Sequence, residues 1–527
     1  MRRTDTGRAL RRATALLASA LLLAGTAACG GGEEDGKDDH TYKPGTLRVL
    51  ASSELADMKP VLDAAAKATG VTVRPTYAGT LDAVEQVASG RADATYDAVW
   101  LSSNDYLRLR PEAGKRITGE TPIMTSPVAL GLRPEAVARL GWDPAKVTWA
   151  QVHRAVADGK LGYGMTDPVR SNSGFSALVS IASGLSGAQS ALTDADVARA
   201  TPRLKEFFAG QKLTSGSSGW LATAYARRSD VDALVNYESV LLSMPQRLTV
   251  VRPSDGVVTA DYPFTTLASA RPEAKDAARR LTSHLRSAEA QRLITEKTLR
   301  RPVVPGVKPA QAIAADARRE LPFPGSRSVA DGLLDAYENR LRRPSRTVYV
   351  LDTSGSMSGE RLERLKKSLT ELTKDFRDRE EVTLLPFGSS VKRDQVRTHT
   401  VDPKDPEKAL AAIRADAGRL SASGETAIFS SLQEAYRVIG SGDTRSAFTS
   451  VVLMTDGENT AGAPASGFET YYKGLPEDRR STPVFPILFG DSDRGELERI
   501  ASLTGGRLFD ATTGSLDGAF EEIRGYQ

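Results

Sequence analysis

The chain has one cysteine in 527 residues, Cys29, so no internal disulfide can brace it. Its four histidines, at 40, 153, 284 and 399, are too scattered for a metal-binding helix, and neither His-Glu-x-x-His nor Gly-x-Ser-x-Gly occurs. The sequence therefore offers no catalytic residue, and the expectation is a protein that is not an enzyme. Charge of one sign is lacking as well. Seventy basic against 66 acidic residues leave +4, and the first 28 residues, with five arginines and one aspartate, account for all of it. A neutral remainder argues against a nucleic-acid partner. After Cys29 no stretch approaches the ~20 apolar residues of a membrane-spanning helix. A hydrophobic share of 40% over this length implies two or three ordinary globular domains.

The amino terminus carries addressing information. Arg2, Arg3, Arg8, Arg11 and Arg12 precede an apolar stretch from Ala15 to Ala24 and a small-residue site, Thr26-Ala27-Ala28-Cys29, which reads as a signal peptide over residues 1–28. The position of Cys29 resembles a bacterial lipoprotein box, although Thr26 departs from the Leu or Val usual there. The resemblance implies lipidation at Cys29 and anchoring to the extracytoplasmic face of the cell membrane. Residues 29–45 carry Glu33, Glu34, Asp35, Asp38 and Asp39 without apolar periodicity, as a solvated tether does. Gly31 to Lys37 imitates phosphate-loop spacing, but Asp38 stands where Ser or Thr is needed.

In the last third, the apolar run Val348-Tyr349-Val350-Leu351 ends in Asp352-Thr353-Ser354-Gly355-Ser356. One carboxylate and two hydroxyls on a loop after a strand suit a hard cation that takes oxygen ligands. Thr426 opens the helical segment 426–432, and Asp456 closes a second strand pattern, 451–455. A polar turn alone would explain Asp-x-Ser-x-Ser but neither Thr426 nor Asp456. Alternating strands (382–387, 484–489) and an amphipathic helix (361–376) predict a doubly wound parallel sheet, with the three loops converging at its carboxyl edge. These motifs resemble a von Willebrand factor type A domain, a Rossmann-like fold, over residues 346–527, with a metal-ion-dependent adhesion site. The resemblance implies that Ser354, Ser356 and Thr426 coordinate Mg2+, or another divalent cation such as Ca2+ or Mn2+. Asp352 and Asp456 would hold the ion through water, and an acidic residue of a protein partner would fill the open position. Gly490-Asp491 and Thr504 to Arg507 fit the same context as structural elements.

Residues 46–322 read as a separate domain. Strand Leu47–Leu50 is followed by Ser52-Ser53-Glu54 and a helix. Val71–Val73 leads to Ala78-Gly79-Thr80, and Asp97–Leu101 to Ser102-Ser103-Asn104. Hydroxyls at successive strand-to-helix turns place donors where polar or anionic ligands bind, although capping alone also explains them. The order resembles bacterial extracellular solute-binding proteins of the two-lobed type II fold. Ser126 to Leu132 is then the crossover strand, and Thr166-Asp167-Pro168 with Ser171-Asn172-Ser173-Gly174 the second lobe's ligand loop. The resemblance implies small-molecule solute contacts from Ser52, Ser53, Gly79, Thr80, Ser102, Ser103, Ser171, Ser173 and Tyr237. Glu238 beside Tyr237 would repel a bound oxyanion unless a base such as Arg170 compensates. The four tryptophans fit either pocket walls or core. Residues 323–345 read as a linker with a short amphipathic helix packing on the last domain.

The overall expectation is an α/β protein: a membrane-anchored extracytoplasmic binding protein whose carboxy-terminal domain binds a partner through Mg2+. The alternative is the solute receptor of an ABC-type uptake system, with the last domain as a docking module.

Overall fold

The computed structural model describes residues 45–315, 319–376, 379–440, 447–490, 492–512 and 516–526. The signal peptide, Cys29, nearly all of the tether and Asp491 lie outside the described residues. The strands run β1 (Gly45–Ser52), β2 (Val71–Ala78), β3 (Ala98–Trp100), β4 (Ile117–Pro122), β5 (Met124–Leu132), β6 (Tyr163–Thr166), β7 (Gln211–Ser215), β8 (Ala233–Tyr237), β9 (Thr249–Val251), β10 (Thr259–Ala260), β11 (Pro263–Leu267) and β12 (Arg301–Pro302). A third group follows: β13 (Ser345–Asp352), β14 (Glu380–Phe387), β15 (Arg397–Thr400), β16 (Phe448–Thr455), β17 (Val484–Leu488) and β18 (Phe509–Asp510).

These form three sheets. The first lobe has the order β2-β1-β3-β11-β4, and the second β10-β5-β8-β6-β7, with β9 and β12 also pairing β5. The chain passes between lobes at β4 to β5, at β10 to β11 and again before β12. The last sheet has the order β15-β14-β13-β16-β17-β18, parallel except for β15. Its central strands are buried on both faces, as continuous apolar runs demand. Pro386 and Pro486 are tolerated inside strands because their outer neighbours are short. β15 pairs only residues 381–384 of β14, and β18 only 487–488 of β17, so neither proline leaves a ladder donor missing.

The two-lobed fold followed by a doubly wound domain agrees with the expectation. The connecting helix does not. Helix Arg327–Ala336 buries Val329, Ala330, Leu333 and Leu334 in the core of the two-lobed part, and Tyr337 stands edge-on to Phe208 at 5.0 Å. Its apolar stripe revealed that it packs, but a stripe does not name its partner. The last domain instead meets the second lobe through Trp220, whose ring lies 4.4 Å from that of Tyr526.

Candidate functional site

The loop after β13 is fixed by backbone hydrogen bonds before any side chain acts. Thr353 N donates to Phe387 O (2.8 Å), Gly355 N to Gly424 O (2.8 Å) and Ser423 N to Thr353 O (2.8 Å). These tie the Asp-x-Ser-x-Ser loop to the segment that carries Thr426. Thr426 N in turn donates to Thr460 Oγ1 (3.0 Å), and Thr460 N to Thr426 O (2.9 Å), which joins the third loop. Helix Ile428–Ile439 begins two residues after Thr426, so Thr426 lies in the loop before it.

Side chains then converge. Ser354 and Ser356 hydroxyls lie 3.0 Å apart, and Ser356 Oγ donates to Asp456 Oδ1 at 3.0 Å. Asp352 Oδ1 accepts from Ser354 N (2.9 Å), while its Oδ2 accepts from Thr455 Oγ1 (2.7 Å). A methyl built on Gly457 would stand 3.9 Å from both Ser356 Oγ and Thr426 Oγ1, so these two hydroxyls flank Gly457, the residue after Asp456. Neighbouring ligands of an octahedral ion bound at 2.0–2.1 Å lie about 3 Å apart, and the Ser354–Ser356 hydroxyl spacing is compatible with both binding one Mg2+. Among the described residues no group of three or more His, Cys, Asp or Glu is arranged to hold a metal ion. A metal held here would rest on hydroxyls and two carboxylates.

Asp352 is fully buried, and burial raises its carboxyl above the ordinary range, with nearby Asp456 adding to the rise and the Ser354 and Thr455 hydrogen bonds opposing it. Two cationic side chains missed by sequence reasoning balance this charge. Arg361, on helix Glu360–Leu372, donates to Asp456 Oδ2 at 2.6 Å. Lys392 Nζ donates to Thr353 O (3.0 Å) and Ser421 O (2.8 Å), with its pKa lowered by burial. Neither belongs to a spacing motif, and only the fold brings them in.

In the first lobe, the carboxyl ends of β1, β2 and β3 bring three expected hydroxyls together. Ser52 Oγ lies 3.1 Å from Thr80 Oγ1, Thr80 Oγ1 lies 3.4 Å from Ser102 Oγ, and Ser102 N donates to Ser52 Oγ (3.1 Å). Ser53 is exposed and makes no part of this cluster, and Ser103 instead caps a turn with Asp105. In the second lobe Ser173 Oγ joins Thr166 (2.8 Å), Ser171 (3.1 Å) and Ser218 (2.8 Å); the last was not foreseen. Tyr237 is buried and accepts from Asn172 Nδ2 at 2.9 Å. Burial pushes its phenol well above the usual range, helped by Tyr262 and Glu54. Glu54 is itself raised by burial, with Ser102 and Arg300 opposing. Gly79 marks where the lobes meet, since a Cβ there would stand 2.6 Å from Arg170 O.

Glu238 is not compensated by Arg170. Its carboxylate accepts from Arg301 Nε (2.7 Å) and Nη2 (2.8 Å) and from Arg252 Nη1 (2.5 Å), so it is a buried structural anion. Trp100 and Trp149 are core residues whose indoles donate to Tyr262 O and Gly256 O.

Residues 47–299 match the bacterial extracellular solute-binding protein family, and residues 348–522 the von Willebrand factor type A domain. Calcium-activated chloride channel regulator 3A-1 of Mus musculus is 30% identical over 178 residues, 33% of this chain and 18% of that protein. Inter-alpha-trypsin inhibitor heavy chain H4 of Homo sapiens is 27% identical over 196 residues, 34% of this chain and 20% of that protein. The chain thus spans a fifth or less of these curated relatives. A periplasmic binding protein from Actinobacillus pleuropneumoniae, solved with exogenous fructose-6-phosphate bound, has a TM-score of 0.47 at 12% identity, covering 57% of this chain and 99% of that one. A von Willebrand factor type A structure from Catenulispora acidiphila has a TM-score of 0.31 at 20% identity, covering 35% of this chain and 42% of that one. The chain carries a bacterial extracellular solute-binding domain followed by a von Willebrand factor type A domain.

Proposed function

We propose that this protein is an extracytoplasmic binding protein, anchored to the membrane by a lipid on Cys29, whose carboxy-terminal domain binds a protein partner through Mg2+. The observation that carries the reading is the meeting of Asp352, Ser354, Ser356, Thr426 and Asp456 at the carboxyl edge of one parallel sheet. Ser354, Ser356 and Thr426 would hold the ion, with Asp352 and Asp456 behind them. When bound, the cation supplies an electrophilic centre for a partner's carboxylate. Ca2+ or Mn2+ would suit the same oxygen set less closely, being larger. Hydroxyl clusters on both lobes support small-molecule solute binding by the first domain. Among the described residues no helix is long and apolar enough to cross a membrane.

Isothermal titration of the mature chain with MgCl2 tests the metal reading. One site per chain is expected, lost in Asp352→Ala and Ser356→Ala, and heat-free titrations with both Mg2+ and Mn2+ would end the proposal. Mass spectrometry of the cell-derived protein tests the lipid on Cys29 and any retained solute.

A further inference from the structure

The segment between the two domains touches both lobes. From the second lobe, Leu321 N donates to Val257 O (2.8 Å) and Thr259 Oγ1 to Glu320 Oε2 (2.6 Å). Phe323 then stands edge-on to Phe175 at 5.1 Å, and Phe175 edge-on to Tyr106 at 5.6 Å. Phe175 lies in the first turn of helix Asn172–Ser186, on the second lobe beside Ser173. Tyr106 lies in the short helix after β3, on the first. The Tyr106 hydroxyl completes the crossing by donating to Asp331 Oδ1 at 2.7 Å, and Arg327, itself bonded to Asp331, reaches Glu112 of the first lobe at 3.6 Å.

The far end of the segment is as firmly placed. Arg342 is 3% exposed and stands 3.8 Å from Asp167, which is 1% exposed. Asp167 organises the loop before Ser171, accepting from Val169 N at Oδ1 and from Ser171 N at its carbonyl. Arg343 donates to Gln211 O (3.0 Å) at the start of β7 and to Ala447 O (2.9 Å) just before β16. Two residues later the chain enters β13, whose other end is Asp352.

We propose that residues 320–341 are a strap that fastens the two lobes together, so that the cleft opens only when the strap lifts. A transport receptor must open and close freely to load and deliver solute. Here opening breaks the Phe323–Phe175–Tyr106 stack and the Tyr106–Asp331 bond together, and it moves the segment that leads into β13. The solute-binding domain then works as a fixed platform for the metal-bearing domain, and the inference stands whether or not the metal reading does.

Electron–electron resonance distances in the full mature chain test it. Cys29→Ser clears the native thiol, and labels go on Lys67→Cys in the first lobe and Lys205→Cys in the second, both exposed. The strapped protein is expected to give one narrow distance. Phe323→Ala with Asp331→Ala should add a second, longer distance with at least a tenfold rise in its share. Tyr106→Phe with Asp331→Asn, which leaves the apolar face intact, should raise that share in the same direction. A parent protein already split between two distances overturns the strap, and so does unchanged distance in whichever loosened variant melts cooperatively.

Discussion

Glu238→Gln should cost the two-lobed domain about 3–5 kcal/mol. The carboxylate is 1% exposed and receives three charge-assisted hydrogen bonds from two arginines that are themselves about nine-tenths buried. The amide keeps the size but not the charge, and its nitrogen cannot accept. Two guanidinium charges then lose the carboxylate they share, and breaking a buried pair from one side costs about 3–5 kcal/mol. For a domain of roughly 250 residues each kcal/mol moves Tm by about 2–4 °C, so the transition should fall by about 10 °C. The geometry adds a reason to expect a full effect. Arg301 opens β12 against β5, so this ion group pins a third crossing between the lobes. Differential scanning calorimetry at 0.1 M and 0.5 M NaCl reads it, with a loss that salt leaves nearly unchanged because the group is buried. Glu407→Gln, whose side chain is 70% exposed, is the control. A fall of under ~2 °C, indistinguishable from that control, would refute the reasoning.

Asp261, where the chain returns to the first lobe, has its carboxyl pushed up to about 6 by burial, with Asp105 and Glu120 adding to the rise and Arg108 opposing it. Its folded pKa exceeds the unfolded value, so stability should increase as pH falls from about 7 towards 4. Asp261→Asn should abolish that part of the slope and stabilise the protein at pH 7.5 by about 1–2 kcal/mol, as denaturant melts at both pH values would show. Gly490→Ala places a methyl 2.4 Å from Asp456 O and 2.6 Å from its Cβ. It should weaken Mg2+ binding at least tenfold in calorimetry without altering a ligand; unchanged affinity would mean that Asp456 does not position the ion. Arg361→Gln removes a positive charge bonded to Asp456, and should tighten Mg2+ about fivefold, about 1 kcal/mol, with the gain shrinking in high salt. Weaker binding in that variant would instead make Arg361 part of the site.

The last domain was readable because its strands are buried on both faces and four of its five candidate ligands sit at or just after strand ends, where position along the chain and position in space coincide. Asp352, Ser354 and Ser356 needed only a turn to come together. Asp456 needed the strand order that alternation already implied, whereas Thr426 is carried in by a loop between two helices, tied to the first loop by Gly355 N to Gly424 O. Arg361 was illegible because a charged residue in the first turn of an amphipathic helix looks like any solvated one. In the first domain Ser52, Thr80 and Ser102 end adjacent parallel strands and so meet, whereas Ser53 and Ser103, one residue further on, turn away. Glu238 was visible as an acid out of place, but its partners come from residues 14 and 63 positions away and no local pattern selects Arg252 and Arg301 over Arg170. The packing side of the connecting helix failed for the same reason, since periodicity fixes a face and not what covers it.

Under the proposed lipid anchoring, the margins of the last sheet bear on how crowded copies meet. One border strand, β15, has only four residues, with Arg397 and His399 among them, and the other, β18, has two. Brief, charged borders are poor templates for a neighbouring chain's backbone. Copies crowded onto one surface should therefore stay individually available, without stitching into ribbons through their sheets.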